Sequence, residues 1–241
     1  MTIRLALILL ALSAVVNLGF LVAAADWWIV PGALLGWYLA DLMSGAVHMY
    51  MDYKPCRTGI GLDTLYFYEG SRESAEYIAI RDATFAKLGP FERLVFDFKN
   101  HHPRPDALGR RDIVRLIGSS VLFGTLPVSL LLNLACLLLP LPAGLIATAV
   151  TFLVGTTFAQ YFHGSLHRAD VPWIVRALRR VGLLMTPADH AHHHATLRQD
   201  FSTNNGWSNP LLNRVFAHLL RRGRLRPEGL EPERSGQGLS V

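Results

Sequence analysis

The residues able to do chemistry in this chain are its ten histidines, and they come in clusters. His48 stands alone, His101 and His102 form a pair, His163 and His167 are four apart, and His190, His192, His193 and His194 crowd five positions; only His218 looks incidental. Neutral imidazole is a ligand for iron, zinc or copper, and a pair at i and i+4 on a helix grips one ion from a single side. One zinc needs three or four ligands, and two metals need about eight of this kind. The chain offers that many. A lone histidine on an apolar face is usually a hydrogen-bonded core residue, and flexible metal-buffering loops are compositional tracts. Paired spacings in several places fit neither.

Two of the clusters end helical faces. Asp41, Gly45, His48 and Asp52 follow i, i+4, i+7, i+11 and so share one face. Gln160, His163 and His167 do the same at the end of another apolar run, with Gly155 and Ala159 keeping the upper part of that face thin. Both faces are expected to converge on one site. Asp41 lies inside an apolar run, where an acid is expensive and needs a reason.

The elements that must position these residues are membrane helices. Of 241 residues 51% are hydrophobic and 17% charged, and the mean hydropathy is +0.29. That mix excludes disordered and collagen-like chains. Four runs, Ile3 to Ala25, Ile29 to Met51, Leu116 to Leu139 and Ala143 to Phe162, are each long enough to cross a hydrocarbon core of about 30 Å. The first exceeds the roughly 7–15 residues of a signal-peptide core, although Ala23-Ala24-Ala25 resembles a cleavage site. An all-α, multi-pass protein follows: four spanning helices and a helical cap on one face that carries a histidine-rich metal site. Residues 1–225 are expected to form a single membrane domain, and 226–241, rich in Pro, Gly, Ser and Glu, a flexible tail.

Arg4, eleven Lys/Arg between Tyr53 and Arg115, and eleven after Phe162 account for all 23 basic residues. The connections Asp26 to Trp28 and Pro140 to Pro142 carry none. By the positive-inside rule both termini and the histidines are expected in the cytoplasm. The net charge of +5 and the Arg221 to Arg226 run serve orientation and anionic lipid, since no nucleic-acid motif accompanies them. Cys56 and Cys136 fall at opposite faces, which excludes a disulfide and a cysteine-based cluster. Pro90 is expected to open a helix bearing Phe91, Leu94, Val95 and Phe98 and leading to His101-His102. Asp170 is a candidate N-cap for an interfacial helix, where Trp173, Ile174, Ala177, Leu178 and Val181 oppose Arg176, Arg179 and Arg180.

The ordered series Asp41-x3-Gly45-x2-His48-x3-Asp52, His101-His102-Pro103 with Arg111-Asp112, Gln160-x2-His163-x3-His167, and His190-x2-His193-His194 followed by Asn205-Gly206-Trp207-x-Asn209 resembles the lipid desaturase family. That family includes plasmanylethanolamine desaturases and the plant chloroplast trans-desaturase of phosphatidylglycerol. The resemblance runs from about Trp37 to Leu212. It implies that His48, His101, His102, His163, His167, His190, His193 and His194 match eight essential histidines holding two Fe ions, with O2 as co-substrate; His192 is an extra. Asp52, Asp189 and Asn205 are candidates to hydrogen-bond ligand rings from behind. Asp41, Gly45, Gly155 and Ala159 are candidates to line a channel for the lipid chain. Two features depart from the family pattern. The stretch between Asp52 and His101 is about twice as long, and the segment Ala195 to Asp200 lacks a proline.

The expected reaction is an O2-dependent desaturation near the glycerol end of a phospholipid chain, turning a 1-O-alkyl (plasmanyl) lipid into a vinyl-ether plasmalogen. Its two electrons come from an external donor of cytochrome b5 or ferredoxin type, since the chain shows no flavin, haem or iron–sulfur fingerprint. A related acyl desaturase or hydroxylase shares this chemistry. A metal transporter needs ligands near mid-membrane, and a haem electron carrier needs one axial pair per haem. Both are alternatives of a non-enzymatic kind.

Overall fold

The computed structural model describes residues 2–234, and every regular element among them is helical. In chain order these are α1 (Ile3–Ala23), α2 (Ile29–Tyr53), α3 (Leu62–Tyr66), α4 (Ala75–Phe85), α5 (Pro90–His101), α6 (Asp106–Gly109), α7 (Ile113–Ser120), a π-helical turn (Val121–Thr125), α8 (Leu126–Leu138), α9 (Ala143–Leu166), α10 (Trp173–Arg180), α11 (Pro187–Thr196), α12 (Asn209–Arg221) and a 3-10 turn (Pro227–Leu230). Four of them are long and apolar enough to cross a membrane: α1, α2, the continuous Ile113–Leu138 stretch and α9.

The third span starts a turn earlier than hydropathy alone suggests. Asp112 caps α7 by accepting the Arg115 N–H at 2.9 Å, so the helix begins outside the apolar run. Within it, Pro127 has no N–H to give, and the ladder widens just before it, where Leu126 N–H reaches Val121 O.

The chain clusters into two compact units, Met1–Ala46 with Asp106–Asn213 and Val47–Pro105 with Arg214–Val241. In the first, apolar side chains of α1 and α8 point outward, and the helices are joined through polar atoms. Ser13 Oγ and Ser129 Oγ lie 2.7 Å apart, Asn17 donates to Ser129 Oγ at 2.9 Å, and Asn133 donates to Ser13 Oγ at 2.7 Å. Hydrocarbon offers these groups no partner, so they pair with one another. Helices α2 and α9 approach through small residues. A Cβ at Gly32 would lie 2.2 Å from the Gly144 carbonyl oxygen, and Thr148 and Thr151 hydroxyls donate to Gly32 O and Ala33 O at 3.0 Å.

The second unit gives the long 53–100 stretch a core of its own. Leu62, Leu65, Tyr66, Tyr77, Leu88 and Phe96 pack together. Arg72 ties it by donating to Leu65 O (2.7 Å), the Tyr77 hydroxyl (3.0 Å) and Asn100 Oδ1 (3.1 Å). Helix α5 begins at Pro90 as expected, with Glu92 accepting the Gly89 N–H at 2.8 Å, and buries Val95 and Phe98. Lys99 is wholly buried, and its three ammonium protons meet three carbonyls, those of Met51, Asp52 and Gly229. Burial pushes its pKa down to about 8. The Gly229 carbonyl belongs to the 3-10 turn, inside the stretch expected as a flexible tail; residues 235–241 lie outside the described residues.

Candidate metal-binding sites

In the first unit, α9 and α11 bring four imidazoles together. The last turn of α9 carries His163, and His167 is its C-cap. Helix α11 is started by Pro187 and by a capping box in which Thr186 and Asp189 exchange bonds, and it carries His190, His193 and His194. The ligand atoms of His163, His167, His190 and His194 all lie within 4.8 Å of one another. His190 Nε2 is 3.1 Å from both His163 Nε2 and His194 Nε2. One ring nitrogen carries either one proton or one lone pair, so it makes one N–H···N bond and not two. Donor nitrogens about 2.0–2.1 Å from a shared ion lie roughly 2.9–3.4 Å apart, so both contacts have the spacing that a shared ion would need.

The stretch after α11 orients a further imidazole, that of His193. Leu197 and Asp200 adopt positive φ of 53° and 60°, a conformation that costs side chains with a Cβ. The turn they make puts Gln199 O 2.9 Å from His193 Nδ1. A carbonyl only accepts, so Nδ1 donates and the lone pair of His193 is on Nε2. His192 turns to Asp200, with Nδ1 and the carboxylate 2.6 Å apart.

The acid inside the membrane span has a complete set of donors. Asp41 is fully buried and accepts from the N–H groups of Asn205 (2.8 Å), Gly206 (3.1 Å) and Ser208 (2.9 Å) and from the Ser208 hydroxyl (2.6 Å). It ties the 205–208 loop to α2. Gly45 and Gly155, named above along a substrate channel, sit where the chain packs directly on them: a Cβ at Gly45 would lie 2.9 Å from the Ser202 backbone, and one at Gly155 2.4 Å from Ala40 Cβ. Ala159 is half-buried on α9.

In the second unit the set is mixed. His48 and Asp52 occupy the last turns of α2, His101 ends α5 and His102 caps it. Asp52 presents one oxygen to His48 Nε2 and the other to His102 Nε2, each at 3.4 Å. The ligand atoms of His48, Asp52 and His102 lie within 4.8 Å of one another. The His101 ring centroid is 4.2 Å from that of His102 and 5.4 Å from that of His48. Its Nδ1 donates to Phe98 O, which again leaves Nε2 as the lone-pair side.

Of the three residues expected behind ligand rings, Asp52 touches two of them and has the geometry of a ligand itself. Asp189 instead accepts from the Thr186 N–H and hydroxyl, and Asn205 from the Trp207 N–H. Sequence reasoning missed the carbonyls of Gln199 and Phe98. Every residue has a carbonyl, so nothing marks these two. His218 is exposed on α12.

No solved structure matches this chain. The chain is 27% identical over 197 residues to a plasmanylethanolamine desaturase of Myxococcus xanthus, a match covering 80% of this chain and 58% of that relative. The family model for the lipid desaturase domain matches residues 88–221, more than half of the chain, and takes in every candidate histidine except His48. This chain therefore belongs to the lipid desaturase family.

Proposed function

We propose that the protein is an oxygen-dependent membrane oxidoreductase that desaturates the 1-O-alkyl chain of a phospholipid next to the ether oxygen. The observation that carries this reading is the pair of donor sets, one of four clustered imidazoles and one of imidazoles with a carboxylate, in a chain with four helices fit to span a membrane. Both sets suit iron, which takes imidazole and carboxylate ligands. In this reading the ligands are His163, His167, His190, His193 and His194, carried by α9 and α11, and His48, His101, His102 and Asp52, carried by α2 and α5. Two iron ions bound there supply the oxygen-activating power needed to take hydrogen from an unactivated carbon, which imidazole and carboxylate alone lack.

The reaction balances with O2, two electrons and two protons: an alkyl CH2–CH2–O becomes CH=CH–O, and two waters leave. The electrons come from an external cytochrome b5- or ferredoxin-type donor. The chain's own groups hold the rings in register through fixed protons, His193 Nδ1–H on Gln199 O and His101 Nδ1–H on Phe98 O. Both termini and the donor sets lie in the cytoplasm, a reading supported by the one-sided distribution of Lys and Arg.

Cells lacking plasmalogens, given alkylglycerol and expressing this chain, should accumulate acid-labile vinyl-ether lipids only when oxygen is present. Saturated ether lipids together with a new double bond or hydroxyl on ester-linked chains would replace this substrate with an acyl one.

A further inference from the structure

A cleft of about 660 Å3 opens in the Met1–Ala46/Asp106–Asn213 unit, walled by the segment from Asp106 to Ile113 and by the region from Tyr161 to Pro172. It lies where α7 begins and α9 ends, at one end of two membrane spans. Gly109 lets the walls meet, since a Cβ there would come 2.7 Å from the His167 carbonyl oxygen. His167, one of the four clustered imidazoles, also lines the cleft. A ligand seated here has its headgroup next to the donor set on α9 and α11.

The lining carries both signs of charge. Arg110 pairs with Asp106 at 3.7 Å, and Asp112 is engaged in capping α7. The side chains of Arg168 and Asp170 have no hydrogen-bond or ion-pair partner among the described residues, and both face the cleft. The sequence suggested Asp170 as the cap of α10, but Pro172 takes that position, which leaves the carboxylate to the cleft. Beyond Pro172, Trp173 is 71% exposed and Ile174 46%. Exposed aromatic and aliphatic side chains at the end of a membrane span belong at headgroup level.

We propose that this cleft seats the zwitterionic phosphoethanolamine headgroup of the lipid, with Arg168 on the phosphate and Asp170 on the ammonium. The assignment rests on the desaturase reading for its lipid substrate. A guanidinium matches phosphate oxygens with paired N–H donors, and a carboxylate matches a primary ammonium that still has protons to give. A purely anionic headgroup would face Asp170 unneutralised. A choline head would bring no N–H to it. Because only the glycerol separates the phosphate from the first carbons of the chains, a headgroup held beside His167 favours oxidation at that end.

The test is lipid retention by the purified full-length protein in detergent, read by native mass spectrometry. The probes are 1-O-alkyl-2-acyl phosphatidylethanolamine, its phosphatidylcholine counterpart and phosphatidic acid. Wild type should prefer the ethanolamine lipid by about tenfold. Arg168→Gln should weaken retention of all three by about tenfold. Asp170→Asn should remove the ethanolamine preference and leave phosphatidic acid retention unchanged or raised. An unchanged metal content shows that each variant has folded, and Asp170→Asn carries the test alone if Arg168→Gln does not fold. Equal retention of the three lipids by wild type, or a preference that survives Asp170→Asn, overturns the assignment. So does capture of water-soluble glycerophosphoethanolamine without any lipid. Headgroup selection in a protein that makes no vinyl ether sinks the reaction proposed above and leaves the cleft standing; vinyl-ether formation with unselective retention does the reverse.

Discussion

The two donor sets are built by opposite means. On α9 and α11 the clustered side chains are all imidazole, and His190 Nε2 is the common point of two 3.1 Å contacts. On α2 and α5 a single carboxylate, Asp52, stands between two imidazoles at 3.4 Å from each. An all-imidazole set is neutral and accepts several transition metals, whereas an added carboxylate brings a hard oxygen and a negative charge. In one region position is fixed by helix caps; in the other it is fixed by Lys99, which holds the Met51 and Asp52 carbonyls at the end of α2.

The comparison is broken most severely at its common point. His190→Ala should reduce desaturation to background and at least halve the iron per chain, read by metal analysis beside lipid analysis. Retention of full activity would show that the α11 imidazoles are bystanders. Asp52→Asn keeps the shape of the second set and removes its charge. It should weaken metal retention against a chelator by about ten- to hundredfold; wild-type retention would show that the carboxylate does no more than fill space.

Smaller effects separate support from ligation. Asp41→Asn has one oxygen to offer where four donors converge, and it sets its own N–H groups against them. A stability loss of about 3 kcal/mol is expected, seen as a lower thermal unfolding midpoint in detergent. An unshifted midpoint would mean that the 205–208 loop holds without it. The smallest effects belong to the histidines outside the donor sets. His192→Ala removes a half-exposed pair with Asp200 and should cost less than about 1 kcal/mol, and His218→Ala should leave activity and metal content at wild-type levels.

Much of this was legible in the sequence because it is written in residue type and spacing. The four apolar runs became four long helices, with ends moved by at most about a turn where Asp112 and the continuation of α9 to Leu166 extended them. The spacings Asp41 to Asp52 and His163 to His167 did place their residues on shared helical faces. What was not legible depends on groups that every residue has or on partners far along the chain. The carbonyls of Gln199 and Phe98 carry no sequence signal. Asp41 finds its donors 164 to 167 residues away, so its expense could be noted but not its partners. Within the 53–100 stretch the helix from Pro90 is legible, whereas the short helices before it are marginal alone and exist by packing around Phe96 and Tyr66. Asp189 is a candidate partner for a ligand ring by its place in the sequence, and in the structure it accepts from Thr186 in a local cap.

The most direct test of the central claim is the metal content of the full-length protein, purified without added metal and assayed in the same preparation for vinyl-ether formation. The two donor sets predict close to two irons per chain, with activity rising in proportion to iron and lost on chelation. Stoichiometric zinc in protein that is fully active in that form would contradict the account.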